Sequence, residues 1–219
     1  GQASTVETDR RLTAQGQERK QQLIDCAAEL FAERGYAETR VIDIVRAAGV
    51  AKGLFYWYFE NKDALFRELA QTIRQQLRRT QGEVLDPDAL PLVNIYRGTE
   101  ASVHFMAEHS HYFSLLEAEG PKFTDTLRKG TRQHIDDMQR LVLAGQEDGT
   151  IRDDDPALLA VGVVACVGQY SHFHRTGRIK ASLPELATFV ARYVVHSLAA
   201  DDRAREQALA AVRDLAPAS

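Results

Sequence analysis

The sequence predicts an all-α fold, on the basis of three observations. Apolar residues recur at spacings of three and four positions along most of the 219-residue chain. No segment shows the alternating apolar and polar pattern of a half-buried strand. Glycine and proline residues separate the helical segments, as they do where helices begin and end. Hydrophobic residues make up 44% and charged residues 26%, a globular composition that excludes wholesale disorder.

Two helices are predicted after a flexible, polar arm at residues 1–16. The first begins near Gln17 and ends before Gly35, a residue type that favours helix C-termini. Its apolar face consists of Leu23, Ala27, Leu30 and Phe31. The second helix is expected to have Thr39 as its N-cap and to end at Gly49. Its apolar face consists of Val41, Ile44, Val45 and Ala48.

A short third helix is predicted over residues 51–59, only a few residues after the second. Helices joined by so short a turn cross at a steep angle, which is a helix-turn-helix arrangement. Asn61 is then expected to cap a long helix from Lys62 toward Gly82, with a length of about 30 Å at 1.5 Å per residue.

The rest of the chain is also predicted to be helical. We expect helices at 89–109, 110–118, 121–148, 156–176 and 183–200, separated by glycine, proline and acidic turns. Residues 201–215 are charged with an alanine and leucine stripe, which predicts a frayed extra helix. The expected organisation is an arm at 1–16, a three-helix unit at 17–63, a larger helical body at 64–200 and a tail at 201–219.

Charge and cysteine content narrow the classes of function. The chain has 27 Lys and Arg residues against 31 Asp and Glu, so it is no uniformly polybasic binder of nucleic acid. Residues 10–67 nevertheless carry a formal charge of +2, against −6 for the remainder. The two cysteines, Cys26 and Cys166, lie far apart, which argues against a disulfide framework or zinc finger and fits a reducing cytoplasm.

The sequence predicts no membrane partner, cofactor or metal site. The longest apolar run, residues 158–167, has about half of the roughly 20 residues that a membrane-spanning helix needs. The polar start of the chain lacks the apolar region of a signal peptide. No GxSxG, GxGxxG, phosphate-loop or HExxH motif occurs. We therefore expect a cytoplasmic protein without catalytic residues.

The third helix carries five consecutive aromatic residues, which cannot all face one side. Phe55 and Phe59, at i and i+4, are expected to pack on the first two helices. Trp57 lies about 200° of helical turn from Phe59, so it should be exposed. If Trp57 were buried instead, Tyr58 would take its place as the outward-facing residue.

The same segment offers groups suited to DNA. Lys52 supplies a positive charge, Tyr56 a hydroxyl and Trp57 an indole N–H, all of them donors for phosphates and base edges. Gly53 costs about 1 kcal/mol against alanine inside a helix, which close approach of another molecule would justify. Lys62 lies in the first turn of the next helix, where the helix dipole favours a phosphate.

Residues 23–69 resemble the DNA-binding segment of the tetracycline-repressor (TetR) family of bacterial transcriptional regulators. The resemblance rests on the segment LIDCAAELFAERGYAETRVIDIVRAAGVAKGLFYWYFENKDALFREL, about a fifth of the chain. It implies phosphate contacts by four residues: Thr39, Lys52, Tyr56 and Lys62. It implies that four further residues face the major groove: Arg40, Gly53, Leu54 and Trp57.

Two residues depart from the family pattern. Ala51 stands where serine or threonine is common, which removes a helix cap and a phosphate contact. Leu54 stands where threonine is common, which suggests an apolar contact with a thymine methyl group in place of a polar base contact.

The C-terminal body is expected to form a homodimer. The segment 156–176 has small residues that let another helix approach closely: Ala160, Gly162, Ala165, Cys166 and Gly168. The segment 183–200 has a continuous apolar stripe of Leu183, Leu186, Ala187, Val190, Val194 and Leu198. In the resembled family, the last two main helices pair with their copies in a four-helix bundle. Core packing within one chain is the alternative explanation.

The resemblance also implies a ligand cavity among the middle helices. The apolar candidates to line it are Phe105, Met106, Tyr112, Phe113, Leu116, Phe123, Leu127, Met138, Tyr170 and Phe173. The candidates for polar contacts inside it are His109, His134 and His174. Each of these residues, taken alone, also suits an ordinary core or surface position.

These observations favour a homodimer that binds an inverted repeat in double-stranded DNA and represses transcription. A small apolar or amphipathic effector would bind the helical body and release the dimer from DNA, with the helix at 62–82 as the coupling element. Two alternatives remain open. A DNA-binding dimer without an effector would have a filled interior. An enzyme acting on a lipophilic substrate would need an acid or base that the sequence does not reveal.

Overall fold

The computed structural model describes residues 13–215. Over this range the chain forms ten α-helices and no β-strand, which confirms the all-α prediction. Most of the expected arm at 1–16 and the end of the expected tail lie outside the described residues. The chain divides into two compact units, with the boundary between Leu69 and Ala70.

The first unit contains α1 (Ala14–Arg34), α2 (Val41–Ala48), α3 (Lys52–Tyr58) and the start of α4 (Lys62–Val84). α1 begins three residues before the predicted start, where Thr13 Oγ1 accepts a hydrogen bond from the Gly16 N–H at 3.1 Å. Its predicted apolar face is buried. Asn61 Oδ1 accepts from the Ala64 N–H at 2.8 Å, which confirms the predicted cap of α4.

Aromatic rings form much of the core of this unit. The Tyr36 ring lies 5.0 Å from that of Phe31 and 5.5 Å from that of Phe66, measured between centroids. Phe55 and Phe59 are also buried, with centroids 5.5 Å apart. Edge and tilted ring contacts of this kind stabilise a core beyond the area that they bury.

Thr39 does not cap α2, contrary to the sequence-based prediction. Its side chain is buried, and its hydroxyl donates toward the carbonyls of Gly35 at 2.8 Å and Leu30 at 3.3 Å. The N-cap of α2 is Arg40, whose backbone N–H donates to the Asp43 carboxylate at 3.0 Å. The threonine closes the turn after α1, so the helix begins one residue later.

The second unit continues α4 and adds α5 (Pro91–Glu108), α6 (Ser110–Ala118), α7 (Thr124–Glu147), α8 (Pro156–Arg175), α9 (Leu183–Leu198) and α10 (Asp202–Arg213). Helix α5 is central: ten of its 18 residues are buried, and it packs against α7, α8, α9 and α10. Helix α10 packs against α5 and α9 through Ala204 and Ala208, so the predicted frayed segment is part of the core.

Helix α8 is long and apolar enough to cross a membrane, judged by length and composition alone. Its mean hydropathy is 1.3 over 18 residues. Uncharged residues on both sides of the apolar run at 158–167 bring the segment to this length. Only 17% of that window is buried within the chain. The helix therefore leaves an apolar face uncovered, on which Leu158, Val161 and Phe173 are exposed.

Gly145 lets the chain reverse closely after α7. The N–H groups of Thr150 and Ile151 both donate to the Gly145 carbonyl at 2.9 Å, so this segment lies directly against the helix. A Cβ atom at position 145 would lie 2.3 Å from Cδ1 of the buried Ile151. Ile151 forms an isolated bridge with Ala199 at the end of α9. Close packing therefore requires glycine at this position.

Replacement of Gly145 by alanine is expected to destabilise the protein by about 1–3 kcal/mol, because Ile151 must move within a packed core. Gly82→Ala is the matched control, since an added Cβ at this exposed helical glycine meets no atom within 4 Å. The control should gain up to about 1 kcal/mol from helix propensity. Urea unfolding measures both variants, and equal stabilities would contradict the packing argument.

Candidate nucleic-acid interface and ligand cavity

Helix α3 follows α2 after three residues, Gly49, Val50 and Ala51. Gly49 has a φ of +66° in the left-handed region and ends α2, as the sequence predicts. Ala51 is the N-cap of α3 and offers no side-chain hydrogen bond, so the departure from the family pattern does remove the cap. The helix is held instead by Phe55 and Phe59, which are 0% and 2% exposed.

The other face of α3 is open to solvent. Trp57 is 62% exposed and Tyr56 is 50% exposed. The prediction that Phe55 and Phe59 point inward while Trp57 points outward is therefore confirmed. The other four predicted residues of this helix are exposed or half-buried: Lys52, Gly53, Leu54 and Tyr58.

Arg40 is also accessible, since its side chain is 73% exposed at the start of α2. Its Nε lies 3.2 Å from Asp43 Oδ2. This hydrogen bond from the Arg40 guanidinium, together with its positive charge, holds the pKa of the Asp43 carboxyl below the usual value. The neighbouring carboxylate partly balances the charge that Arg40 would present to a phosphate or a base.

Thr39 and Lys62 are engaged in contacts within the protein. The buried Thr39 hydroxyl bonds to backbone carbonyls, so the predicted phosphate contact through this side chain is wrong. Lys62 Nζ donates to the carbonyls of Tyr36 at 2.6 Å and Thr39 at 3.0 Å. It also lies 4.2 Å from the centroid of the Tyr36 ring. The ammonium group therefore holds the turn between α1 and α2, a tertiary role that spacing along one helix does not indicate.

The second unit contains a cavity of about 830 Å³ among α4, α5, α6, α7 and α8. Its volume lies within the range of about 300–1,000 Å³ that is typical of small-molecule sites. Seven of the thirteen candidates line it: Met106, Tyr112, Phe113, Leu116, Leu127, His134 and Met138.

The other six candidates do not line this cavity, and one of them, Phe173, is exposed on α8. Phe105 and His109 stack on each other with centroids 3.9 Å apart, and His109 Nδ1 lies 2.9 Å from the Phe105 carbonyl oxygen. Phe123 is buried in the turn before α7. The end of α5 and the turn before α7 thus use these rings for local packing, which corrects their assignment to the ligand site.

Tyr170 and His174 are also corrected, because they lie on other faces of α8. The Tyr170 ring packs edge-on against Phe189 and Tyr193 of α9, at centroid distances of 5.8 and 6.1 Å. His174 lines a separate cavity of about 270 Å³, and its Nε2 lies 3.1 Å from the Ala181 carbonyl oxygen.

Polar residues that were not among the candidates also line the larger cavity, and three of them matter most here: Arg74, Thr99 and Arg175. Thr99 is 1% exposed, and neither its Oγ1 nor the Nε of Arg175 has a hydrogen-bond partner among the described residues. The signal for Arg74 was present, since it follows Ile73 and precedes Leu77 on the apolar face of α4. A charged residue at helical spacing among buried ones indicates a polar contact on that face.

Burial shifts two titratable groups in the cavity wall toward their neutral forms. It raises the pKa of the Tyr112 hydroxyl and lowers the pKa of the His134 imidazole. The positive charge of Arg74 acts on both groups and lowers both pKa values, whereas Asp137 raises that of His134. At neutral pH the wall thus presents a protonated phenol and a neutral imidazole beside a guanidinium group.

Known proteins match both units. Residues 23–69 match the family model for bacterial regulatory proteins of the tetR family. The HTH-type transcriptional repressor DhaR of Mycobacterium sp. (strain GP1) is 30% identical over 159 residues, which cover 67% of this chain and 77% of DhaR. The chain belongs to the TetR family. The repressor KstR2 of Mycobacterium tuberculosis is 27% identical over 149 residues, which cover 66% of this chain and 74% of KstR2.

Solved structures share the fold. A TetR-family regulator from Rhodococcus sp. has a TM-score of 0.72 at 22% identity, covering 83% of this chain and 99% of its own. SmeT, the repressor of the Stenotrophomonas maltophilia multidrug efflux pump SmeDEF, has a TM-score of 0.69 at 19% identity, covering 84% and 91%. As a TetR-family member the chain is a DNA-binding transcriptional regulator, and its relatives are regulators rather than enzymes.

The geometry of Lys62 predicts that it contributes mainly to stability. Lys62→Met should lower the free energy of unfolding by about 1–3 kcal/mol, because two backbone carbonyls lose a charged donor. Lys52→Met, at an exposed position, should change it by less than about 0.5 kcal/mol. Urea unfolding compares the two variants. If Lys62→Met were as stable as the wild type, the stabilising role would be contradicted and phosphate binding would be the remaining role of Lys62.

Proposed function

We propose that this regulator is a homodimeric repressor of the bacterial cytoplasm. It binds an inverted repeat in double-stranded DNA and is released by a small, apolar or amphipathic effector. The three-helix unit is its DNA-binding domain and the larger helical body binds the effector and the second copy. We place the boundary between these domains after Leu69, where the two compact units meet, and not after residue 63 as the sequence predicts.

The observation that carries the proposal is the exposed face of α3. A large aromatic ring such as Trp57, 62% exposed on a helix that follows a three-residue turn, costs free energy in water unless an interface covers it. We assign direct or close DNA contacts to Arg40, Lys52, Gly53, Leu54, Tyr56, Trp57 and Tyr58. Lys62 supports this surface by holding the turn between α1 and α2.

The uncovered apolar faces of α8 and α9 support a dimer. On α8, Leu158 is 70% exposed and Val161 is 46% exposed. On α9, Phe189 and Tyr193 are about half exposed, and both contact the ring of Tyr170. A second copy packed on these faces would bury them in a four-helix bundle, which accounts for the apolar surface of α8 without a membrane.

The cavity of about 830 Å³ supports a regulated dimer over one without an effector, because the latter has no need of an unfilled interior. Helix α4 is the proposed coupling element. Its first turns place Leu65 and Phe66 in the core of the DNA-binding unit, and its later turns line the cavity with Ile73 and Leu77. An effector that displaces the later turns would thereby act on the helix that carries Lys62.

Selection from random duplexes tests the DNA-binding proposal. The selected sites should be inverted repeats whose half-sites lie about 34–36 Å apart, one turn of B-DNA. Trp57→Ala should weaken binding to the selected site by more than about 1 kcal/mol with an unchanged melting temperature. Phe55→Ala is the control, since loss of this buried ring should lower stability by about 3–5 kcal/mol. Failure to select any site, with a monomer at micromolar concentration, would refute the proposal.

A cavity-filling variant tests the effector site. Leu116→Trp should weaken binding of the neutral apolar dye N-phenyl-1-naphthylamine by about tenfold or more, because the larger ring occupies part of the cavity. Its affinity for the selected DNA should stay within about twofold of that of the wild type. Leu143→Trp is the matched control, since Leu143 is 47% exposed on the same unit and does not line the cavity. Equal dye binding by both variants would contradict the site.

A further inference from the structure

The cavity wall carries an excess of positive charge. Four arginines line it, Arg74, Arg78, Arg140 and Arg175, against two acidic residues, Glu117 and Asp137. The chain as a whole has a formal charge of −4, so the excess is local to this site. Positive charge that faces an apolar cavity favours a ligand with negative charge.

Three of these arginines already have acidic partners. Arg78 Nε lies 3.0 Å from Asp137 Oδ2, and Arg140 pairs with the same carboxylate. Arg175 pairs with Glu117, although its Nε remains without an acceptor while its side chain is only 8% exposed. The acidic residues of the wall are thus engaged, and neither is paired with Arg74.

Arg74 is half-buried and forms no ion pair or hydrogen bond with any residue in the described range 13–215. Its side-chain stem lies beside Gly130 of α7, where an added Cβ would be 3.7 Å from Arg74 Cδ. A guanidinium group at the wall of an apolar cavity gains free energy from a carboxylate that it binds through two hydrogen bonds.

Tyr112 of α6 and His134 of α7 line the cavity together with Arg74, whose charge acts on both groups. A phenol donates one O–H, and a neutral imidazole donates one N–H. Asp137 also acts on His134, but Arg78 and Arg140 pair with this carboxylate. Three helices thus contribute a cation, a phenol and an imidazole to one cavity wall, and the two carboxylates of the described residues that line it are both paired with other arginines.

The rest of the lining suits an apolar body. Ile73, Leu77, Phe113, Leu116 and Met138 all face the cavity. The buried Thr99 hydroxyl, without a partner among the described residues, supplies one further polar contact for a substituent of the ligand. The site therefore combines a long apolar surface with a polar region at Arg74.

We propose that the effector is an organic anion with an apolar body, and that its carboxylate binds the guanidinium group of Arg74 beside His134 and Tyr112. This assignment rests on the proposed function only in so far as it takes this cavity as the effector site. A cationic ligand would be repelled by the positive charge of Arg74, and the two acidic residues of the wall are already paired with other arginines. A neutral ligand would leave the guanidinium charge without a partner in an apolar site.

Three probes with the same chain but different head groups test the charge preference. Dodecanoate, 1-dodecanol and dodecyltrimethylammonium compete against N-phenyl-1-naphthylamine for the wild-type protein, at concentrations below micelle formation. Dodecanoate should bind at least about tenfold more tightly than either of the other two, because only its carboxylate forms charge-assisted hydrogen bonds with Arg74. Direct calorimetry on dodecanoate measures the same affinity without the dye.

Variants of Arg74 assign the preference to this residue. R74Q should weaken dodecanoate binding by about tenfold or more and leave 1-dodecanol binding unchanged. R74K should retain most of the preference, since it keeps the charge while losing the two parallel hydrogen bonds. R79Q is the matched control, because Arg79 lies on the same helix, is exposed and does not line the cavity. Circular dichroism establishes that all variants are folded.

The outcomes separate this inference from the proposed function. Equal affinities for the three probes, or unchanged dodecanoate binding by R74Q, would overturn the anion assignment and leave the effector site intact. Binding of the dye without displacement by dodecanoate would do the same, whereas failure of dye and probes alike to bind would overturn both. If dodecanoate binds through Arg74 but leaves the protein on its selected DNA, the anion site at Arg74 stands and the role of such an anion as effector is overturned.

Discussion

The geometry of the DNA-binding unit depends on the turn between α1 and α2. Lys62 donates to the carbonyls of Tyr36 and Thr39, and the Thr39 hydroxyl donates back toward the end of α1. The Tyr36 ring fills the space between α1 and α4 by packing on Phe31 and Phe66. Helix α2 begins directly after this turn, and α3 follows α2 after only three residues. The first residue of α4 therefore helps to set where the exposed face of α3 lies, through carbonyls that are 26 and 23 residues earlier in the chain.

Local periodicity was sufficient to predict the helices and the two faces of α3. Phe55 and Phe59 share a face because they are four residues apart, and Trp57 must then lie elsewhere, whatever the surrounding fold. Thr39 and Lys62 could not be assigned in the same way. Threonine before a helix and lysine at a helix start are both common at phosphate sites, but here their polar groups are used by carbonyls that only the tertiary fold brings within reach. Residue type and position along one helix do not reveal such partners.

The ligand cavity was harder to predict. Periodicity shows which helix faces are buried, but not which of them pack against another helix and which line a cavity. Phe113 and Phe105 look alike in the sequence, yet one lines the cavity and the other stacks on His109. Tyr170 has the spacing of a buried residue, but the helix that it contacts is α9. Arg74 shows the opposite case: a charge among apolar positions is informative, since an unpaired guanidinium group is costly in a core and acceptable only where a polar partner or solvent reaches it.

Helix α4 combines these features, since Lys62 holds the turn of the DNA-binding unit and Arg74, twelve residues later on the same helix, lines the cavity. An anion bound at Arg74 would balance a charge that has no acidic partner in the described protein. The free energy gained would then depend on how well α4 brings Arg74 toward His134 and Tyr112, which lie on α7 and α6. A ligand can shift a conformational equilibrium only by its difference in affinity for the two states. A charged contact to the helix shared by both units would provide such a difference, whereas apolar filling of the cavity alone would stabilise any arrangement of α4 that leaves the same volume.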